Sequence, residues 1–459
     1  MKLKNLFPGL LILVSFYCSA QQTDQIVWMD AGVASIDITP DAPMLLTGYG
    51  GRLGAYDSVV QPIHAKALAI GSDSQGPVII ITMDLIGFPA SLSDNLSARL
   101  KKVGISRSQL AVTATHTHNG PETGVLLNIP GSPQTGQQLF SIKNYRNQLE
   151  MKLEKLVLAA LANREPCQID HGKGSAGFAV NRRILKNGKW VGFGVTDGPT
   201  EHDLPVLRVR TKNGNLKSVL LNYACHGTTL VPKHNFIHGD WMGDAQNLIE
   251  KNNPGSVAMV VIGCGADSNP EPREELIYTL QHGKTVADEV QRVINSGNLK
   301  PIKNIPSTSF EKLELAFEKI PTASELQPLA EQKDVVGMVS RNYLEQLARG
   351  EAIQTTYNYP VQVWSFGGDL TMVFLGGEVV VDYVKRMKKE FGSDNLWMNA
   401  YSNDVSCYIP SRRLYDEGGY EVDFSMAYYN KPSRFKPDTE SIIISGIVKQ
   451  INQTRAKFK

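Results

Sequence analysis

The sequence predicts an α/β protein of several layers, with mixed β-sheets flanked by α-helices and an active site at the carboxyl ends of strands. Short runs rich in β-branched residues alternate along the 459-residue chain with longer stretches of helical periodicity. Several runs are apolar throughout, which is typical of strands buried on both faces under helices. His, Asp or Glu residues follow directly after five of these runs.

The individual elements follow from the same patterns, taken in chain order. Strands are expected at residues 78–82, 110–115, 219–224, 257–262 and 372–375. Helices are expected at residues 92–100, 145–161, 276–294 and 379–391. Residues 302–355 are more polar and carry Pro306, Pro321 and Pro328, which predicts a helical insertion without strong strands. Within it, residues 325–347 should be helical, with Ser324 as the N-cap and Pro328 in the first turn.

Composition and charge exclude some classes of function. With 42% hydrophobic and 20% charged residues, the chain has the composition of a globular protein and not of a disordered one. It carries 47 basic and 45 acidic residues, a net charge of +2, without a basic stripe. A nucleic acid is therefore not an expected partner.

The N-terminus resembles an export signal. Lys2 and Lys4 precede an apolar stretch at residues 6–16, and small residues at 18–20 offer a cleavage site. We therefore expect a signal peptide over residues 1–20, a single catalytic domain over residues 21–459, and a periplasmic or secreted location. Lipid anchoring at Cys18 is the less favoured alternative. The other four cysteines are widely spaced, which favours buried free thiols over a disulfide framework: Cys167, Cys225, Cys264 and Cys407.

The residues at the strand ends suggest a metal site. They are Asp84, His116 with His118, His226, Asp267 within residues 263–270, and Glu378. A catalytic zinc ion takes about three protein ligands and keeps an open position, and His116, His226 and Glu378 would supply two nitrogens and a carboxylate. Zinc held in this way generates hydroxide from water near neutral pH.

Other interpretations of these residues stay open. The His116–His118 pair can also be explained as hydrogen-bonding histidines at a strand end. His234 and His238 are competing ligands, but they lie in a loop-like segment, where His238 is expected at the rim of the site. Ser268 lacks the flanking glycines of a nucleophile elbow, so a turn is the favoured explanation.

Eight short motifs resemble the neutral/alkaline (non-lysosomal) ceramidases. Residues 114–121, Ala-Thr-His-Thr-His-Asn-Gly-Pro, are similar to that family's Ala-Thr-His-Thr-His-Ser-Gly-Pro motif. Residues 224–228, Ala-Cys-His-Gly-Thr, are similar to its second histidine motif. The remaining matches, in the family's order, are residues 34–40 with 47–49, 181–182, 239–245, 265–268, 377–378, and 399–401 followed by 408–410 and 420–421.

The resemblance implies an N-acyl hydrolase and a set of site residues. Zinc would be bound by His116, His226, Glu378 and Tyr408, and His118 would assist proton transfer. The resemblance also assigns to Arg182 and Tyr420 the stabilisation of the oxyanion of the tetrahedral intermediate. The implied substrate is ceramide or another N-acyl lipid, with transient contact to a membrane surface.

Some features depart from the family. Full-length members carry an additional immunoglobulin-like domain, whereas this sequence ends soon after Tyr429. Asn119 replaces the motif serine, and Glu122-Thr123 replaces a pair of glycines. These changes motivate two alternatives to an N-acyl lipid hydrolase: a zinc hydrolase of an ester or a glycan-derived substrate, and a non-catalytic exported binding protein.

Overall fold

Strands and helices alternate along most of the chain. The computed structural model describes residues 27–50, 52, 54–124, 135–191 and 193–458, so the expected signal peptide and Cys18 lie outside the described residues. The strands are β1 Met29–Asp37, β2 Ser58–Val59, β3 His64–Ile70, β4 Val78–Met83, β5 Leu110–Ala114, β6 Glu165–Ser175, β7 Ala179–Asn181, β8 Ile184–Lys186, β9 Lys189–Val191, β10 Asp203–Thr211, β11 Leu216–Tyr223, β12 Phe236–Ile237, β13 Val257–Ile262, β14 Ser268–Pro270, β15 Lys300–Pro301, β16 Ser307–Ala316, β17 Thr356–Phe366, β18 Leu370–Leu375, β19 Glu378–Val379, β20 Leu396–Asn399 and β21 Tyr408–Ile409. The helices are α1 Ala90–Leu100, α2 Gly136–Ala162, α3 Asp240–Asn252, α4 Leu276–Asn295, α5 Ala323–Ala330, α6 Val335–Ala348, α7 Asp382–Phe391, α8 Arg412–Glu417, α9 Ser425–Tyr428 and α10 Thr439–Ala456.

Two large mixed sheets organise the described residues. The larger has nine strands in the order β13-β11-β10-β6-β1-β3-β4-β5, with β15 added beside β6. In this sheet β4 and β5 run parallel, as do β11 and β13, while the other pairs are antiparallel. The smaller sheet has the order β16-β17-β18-β20, and β18 and β20 run parallel. The predicted mixed α/β architecture is confirmed.

The two sheets pack face to face between layers of helices. Side chains alternate across each strand, so in β4 Ile80 lies in the core between the sheets while Ile79 and Ile81 lie in the core on the other face. From the smaller sheet, large aromatic residues such as Trp364 and Trp397 fill the space between the sheets. The strands are buried on both faces as expected, but one face is covered by the partner sheet and not by helices.

The strand predictions agree well with the structure, and two helix boundaries do not. Each of the five expected strands is present to within three residues at either end. The helix expected from residue 145 begins nine residues earlier, at Gly136, where Thr135 forms a capping box with Gln138. The helix expected from residue 379 begins only at Asp382, because Glu378–Val379 forms a short parallel strand with Tyr408–Ile409.

The polar segment over residues 302–355 differs from its prediction in three ways. Ser307–Ala316 is a ten-residue strand at the edge of the smaller sheet, and its half-exposed, charged residues hid it from the hydrophobic pattern. The helical part divides into α5 and α6. The N-cap of α5 is Thr322, which forms a capping box with Glu325, and Pro328 lies inside the helix instead of in its first turn.

Two further expectations concern the cysteines and the membrane. The four cysteines after residue 20 are all buried and free, as predicted. Among the residues that the structure describes, no helix combines the length and the apolar character that crossing a membrane requires.

Candidate metal centre and its pocket

His116 lies just beyond the end of β5, in a backbone conformation that L-residues seldom adopt. Its φ angle is 60°, a strained value of the kind that accumulates at functional sites. The backbone N–H donates to Leu85 O at 2.9 Å. The ring Nδ1 donates to Ile86 O at 2.7 Å, because a carbonyl oxygen can only accept. The remaining nitrogen, Nε2, is therefore an acceptor that faces the interior of the site.

His226 follows β11 and is oriented in the same way. Its Nδ1 donates to Gly265 O at 3.0 Å, which again leaves Nε2 as an acceptor. A parallel bridge between Thr117 and Gly227 joins the two histidine loops. A Cβ atom on Gly227 would lie 2.5 Å from His116 O, so this close approach requires glycine.

Glu378 and Tyr408 come to the site together. They are direct partners in the register of the parallel pair β19 and β21. Glu378 Oε2 lies 3.2 Å from His116 Nε2 and 3.1 Å from His226 Nε2. The Tyr408 hydroxyl lies 3.3 Å from His226 Nε2. The four side chains that the family resemblance implies as zinc ligands are thus brought together.

The chemistry of this set fits a metal cation. Burial, reinforced by the Arg182 charge, lowers the pKa of His226 to about 4, so its ring is neutral at neutral pH. Burial raises the pKa of Glu378, but His116 and His226 outweigh it and hold that pKa well below its usual range. Two imidazole nitrogens and a carboxylate, the donor types that zinc takes in proteins, thus converge in a buried site. A tetrahedral zinc site with bonds of about 2.0–2.2 Å has ligand–ligand distances of about 3.3–3.6 Å, close to the separations observed.

Two tyrosines that the sequence analysis did not assign hold the Glu378 carboxylate. The Tyr429 hydroxyl donates to Oε1, and the Tyr401 hydroxyl donates to Oε2 at 3.5 Å. Tyr401 lies in one of the family motifs, so the sequence did offer a reason to consider it as a site residue. Nothing in the sequence pointed to Tyr429, which was named only as the end of the family resemblance. Such partners fix the orientation of a ligating carboxylate.

His118 lines the pocket, whereas His116 and His226 lie behind its surface. The Nε2 atom of His118 lies 3.2 Å from His116 Nε2, and the ligand nitrogens of His116, His118 and His226 all lie within 4.8 Å of one another. Its Nδ1 is buried without a hydrogen-bond partner among the described residues, and the side chain lines the pocket. Burial, followed by the charges of the neighbouring histidines, holds the pKa of His118 well below its usual range.

Arg182 reaches the metal centre from β7 and the loop after it. Its guanidinium donates to the Tyr408 hydroxyl at 3.0 Å and lies 3.2 Å from His226 Nε2. Its Nε donates to Glu421 at 3.0 Å, and Arg183 binds the second oxygen of the same carboxylate. Glu421, which lies in a family motif but had no role assigned from the sequence, therefore orients Arg182 from behind.

Tyr420 lies in the pocket at the start of a π-helical turn, Tyr420–Phe424. Its ring centroid is 5.5 Å from that of Tyr408 and 5.0 Å from that of Phe193. Burial raises the pKa of Tyr420, so its hydroxyl remains a hydrogen-bond donor at neutral pH. π-helical turns are frequent at functional sites.

A cavity of about 500 Å³ opens over the metal centre. One wall, the aromatic wall, consists of Trp190, Phe193, Tyr420, Phe424 and Tyr428. Phe193 and Phe424 are 67% and 66% exposed, so apolar surface continues from the cavity to solvent. A pocket of this size and apolar character suits an acyl chain.

Other residues considered from the sequence lie around the pocket but do not line it. The Ser268 hydroxyl is buried and unpaired among the described residues, so the structure gives it no nucleophile role. The carboxylate of Asp267 accepts from the Val381 N–H at 2.9 Å. His234 binds Glu274 O at 2.8 Å. His238 was expected at the rim, but it is buried and accepts from the Asp240 N–H at 3.0 Å.

Comparisons with known proteins identify the family and the fold of this chain. The family model described as neutral/alkaline non-lysosomal ceramidase, N-terminal, matches residues 29–269. A solved structure titled as a ceramidase complexed with C2 is similar with a TM-score of 0.70 and 17% identity, over 94% of this chain and 76% of that one. The neutral ceramidase from Pseudomonas aeruginosa is similar with a TM-score of 0.69 and 16% identity, over 95% and 75% of the two chains. The search of curated proteins found no match.

Proposed function

Because this chain belongs to the neutral/alkaline non-lysosomal ceramidase family, we propose that it is a zinc-dependent hydrolase of the N-acyl bond in ceramide or a related N-acyl lipid. One observation carries the proposal. The Nε2 atoms of His116 and His226 and the carboxylate of Glu378 converge beside the Tyr408 hydroxyl, at the base of a cavity with an aromatic wall.

His116, His226, Glu378 and Tyr408 would hold the ion. When bound, zinc would polarise the amide carbonyl and make water nucleophilic at neutral pH. The aromatic wall takes the acyl chain and excludes water from it. Arg182 and the hydroxyl of Tyr420 stabilise the negative charge that develops on the carbonyl oxygen.

His118 is suited to move the proton that the reaction requires. In hydrolysis the oxygen of water bonds to the carbonyl carbon, the carbon–nitrogen bond breaks, and a proton is delivered to the leaving nitrogen. The His118 side chain lines the pocket, and its Nδ1 is not engaged by another described residue. A neutral imidazole can accept the proton of water and then donate it to the amine.

The direct test is fatty-acid release from ceramides of varied chain length by zinc-loaded protein starting at Gln21. His116→Ala should abolish release, while His64→Ala, a histidine at the start of β3, should not. Absence of release from every ceramide and N-acyl amide would contradict the proposal. Release from esters or glycan-derived compounds alone would support the alternative substrate class, and an unaltered His116→Ala variant would support a binding protein.

We also propose export, on the basis of the signal-like residues 1–20 alone. The mature N-terminus can be read by mass spectrometry from protein expressed with its leader. Cleavage after Ala20 would support a periplasmic or secreted location, and retention of Met1 in the cytoplasm would contradict it.

A further inference from the structure

The pocket has a second wall that differs in chemistry from the aromatic wall. It consists of Gly48, Tyr49, Gly50, Thr228, Asn269 and Arg273, and is called here the polar wall. The Tyr49 ring centroid lies 4.8 Å from that of His118, so the polar wall begins beside the metal centre. The aromatic wall, by contrast, adjoins Tyr408 through Tyr420. A substrate bound across the centre can therefore contact both walls.

Two arginines flank Tyr49. The Arg52 guanidinium stacks over its ring, with 4.9 Å between the guanidinium carbon and the ring centroid. The second arginine, Arg273, affects the pKa of the Tyr49 hydroxyl. Burial raises this pKa, and the Arg273 charge partly offsets the rise. The hydroxyl itself donates to Leu230 O at 2.6 Å. Tyr49 is thus held firmly between the two cations.

Neither arginine forms an ion pair among the described residues. Arg52 donates only to neutral oxygens, including Asn119 Oδ1 at 3.0 Å and His234 O at 2.8 Å. The Nε atom of Arg273 is buried without a hydrogen-bond partner in the described part of the chain. Arg182, the other arginine of the pocket, is paired with Glu421.

Asp240 and Glu271 are the acidic residues to consider as partners of Arg273, and neither forms an ion pair with it. Asp240 is occupied by backbone N–H groups, at 3.1 Å from Leu230 and 2.7 Å from Trp241. Burial raises the pKa of Glu271, and the Arg273 charge partly offsets that rise, but the two residues form no ion pair. Arg273 lines the pocket without an ion pair to a described residue, so its guanidinium can bind a ligand that brings a carboxylate or a sulfonate.

We propose that the pocket prefers, among N-acyl lipids, those whose amine portion carries an anionic group, a carboxylate or a sulfonate, which Arg273 binds. The proposal rests on the proposed function, since it names the substrate class of the same site. The acyl chain lies along the aromatic wall, the amide carbonyl lies at the metal centre, and the anion lies at the polar wall. Charge-assisted hydrogen bonds to a guanidinium are stronger than those that a neutral headgroup can form.

The test compares three substrates with one acyl chain: N-dodecanoylglycine, N-dodecanoyltaurine and N-dodecanoylethanolamine. The zinc-loaded enzyme should show a kcat/KM about tenfold or more higher for the two anionic amides than for the neutral one. Arg273→Gln should remove this preference, because the anionic values should fall at least tenfold further than the neutral one, and Arg273→Lys should restore part of it. Arg292→Gln, a surface arginine of α4, is the matched control and should behave as wild type.

Equilibrium binding of the same three compounds separates this proposal from the proposed function. Equal affinity for anionic and neutral amides, or an Arg273→Gln variant that retains the preference, would overturn the anion site even if amides are hydrolysed. Anion-selective binding that depends on Arg273, without hydrolysis of any amide, would support the anion site and contradict the proposed function.

Discussion

At the scale of single residues, the hydrogen bonds behind the ligands decide the chemistry of the site. The Nδ1 atoms of His116 and His226 both donate to backbone carbonyls, and this leaves their Nε2 atoms facing the site. Glu378 is held by two tyrosine hydroxyls in the same manner. The ligands are therefore oriented before any cation arrives, which reduces the entropy cost of binding it.

Removing one of these supporting hydroxyls should weaken metal binding without removing a ligand. We expect Tyr429→Phe to lower zinc affinity about 10–100-fold, because Glu378 loses a hydrogen bond to Oε1. Competition with a chromophoric chelator measures the affinity. Tyr428→Phe is the matched control, since Tyr428 lines the pocket without contacting Glu378. Equal affinities for the two variants would show that Tyr429 does not support the carboxylate.

Two neighbouring arginines offer a second test at this scale. Arg182 and Arg183 share the Glu421 carboxylate, but Arg182 alone of the two contacts His226 and Tyr408. We expect Arg182→Gln to lower kcat about 10²–10³-fold with a smaller effect on KM, because it removes an oxyanion donor. Arg183→Gln should mainly lower stability. Similar losses of kcat in the two variants would contradict the oxyanion role.

At the scale of elements, short parallel contacts bring the ligands together. The bridge between Thr117 and Gly227 joins the two histidine loops, and the register of β19 and β21 places Glu378 beside Tyr408. None of these contacts is longer than two residues, so none has a hydrophobic pattern of its own. Their geometry depends on the large strands that precede them.

The contact at Gly227 should be sensitive to a single methyl group. Gly227→Ala would place a Cβ atom 2.5 Å from His116 O and 2.9 Å from Thr117 Cα, both of them backbone atoms. We expect a loss of about 1–3 kcal/mol in the free energy of unfolding, measured with urea, together with weaker zinc binding. Gly177→Ala is the control, because no atom lies within 4 Å of its added Cβ. If the two variants are equally stable, the loops are not packed as tightly as this structure indicates.

At the scale of the whole molecule, the metal centre joins the two sheets. His116 and His226 follow strands of the nine-stranded sheet, and Glu378 follows β18 of the four-stranded sheet. The largest hydrophobic core also contains residues of both sheets, such as Ile81 of β4 and Val363 of β17. A bound ion should therefore stabilise the fold as a unit and not one loop locally.

Chelation of the metal should lower the melting temperature of the entire protein. Zinc at 100 times its Kd adds about 2.7 kcal/mol to the free energy of unfolding, enough to move the transition by a few degrees. Calorimetry should show a single transition that shifts with zinc, which also tests the expected single domain over residues 21–459. His226→Ala should not respond to zinc, whereas His64→Ala should respond as wild type. Two transitions, with only one shifted by zinc, would contradict the single domain.

The sequence by itself determined the α/β class, the main strands and the candidate metal ligands His116, His226 and Glu378, since these depend on local hydrophobic patterns and on residues at strand ends. Tyr408 followed from the family resemblance alone. The sequence did not reveal the edge strand β16, whose exposed face makes its sequence polar. It also gave no role to Tyr429, Glu421 or Arg273. Their contacts join segments far apart in the chain, 51 residues for Tyr429 with Glu378 and 239 for Arg182 with Glu421. Only the tertiary structure decides such contacts. A contact between residues far apart in the chain leaves no local sequence pattern, and the packing of the two sheets determines which side chains meet.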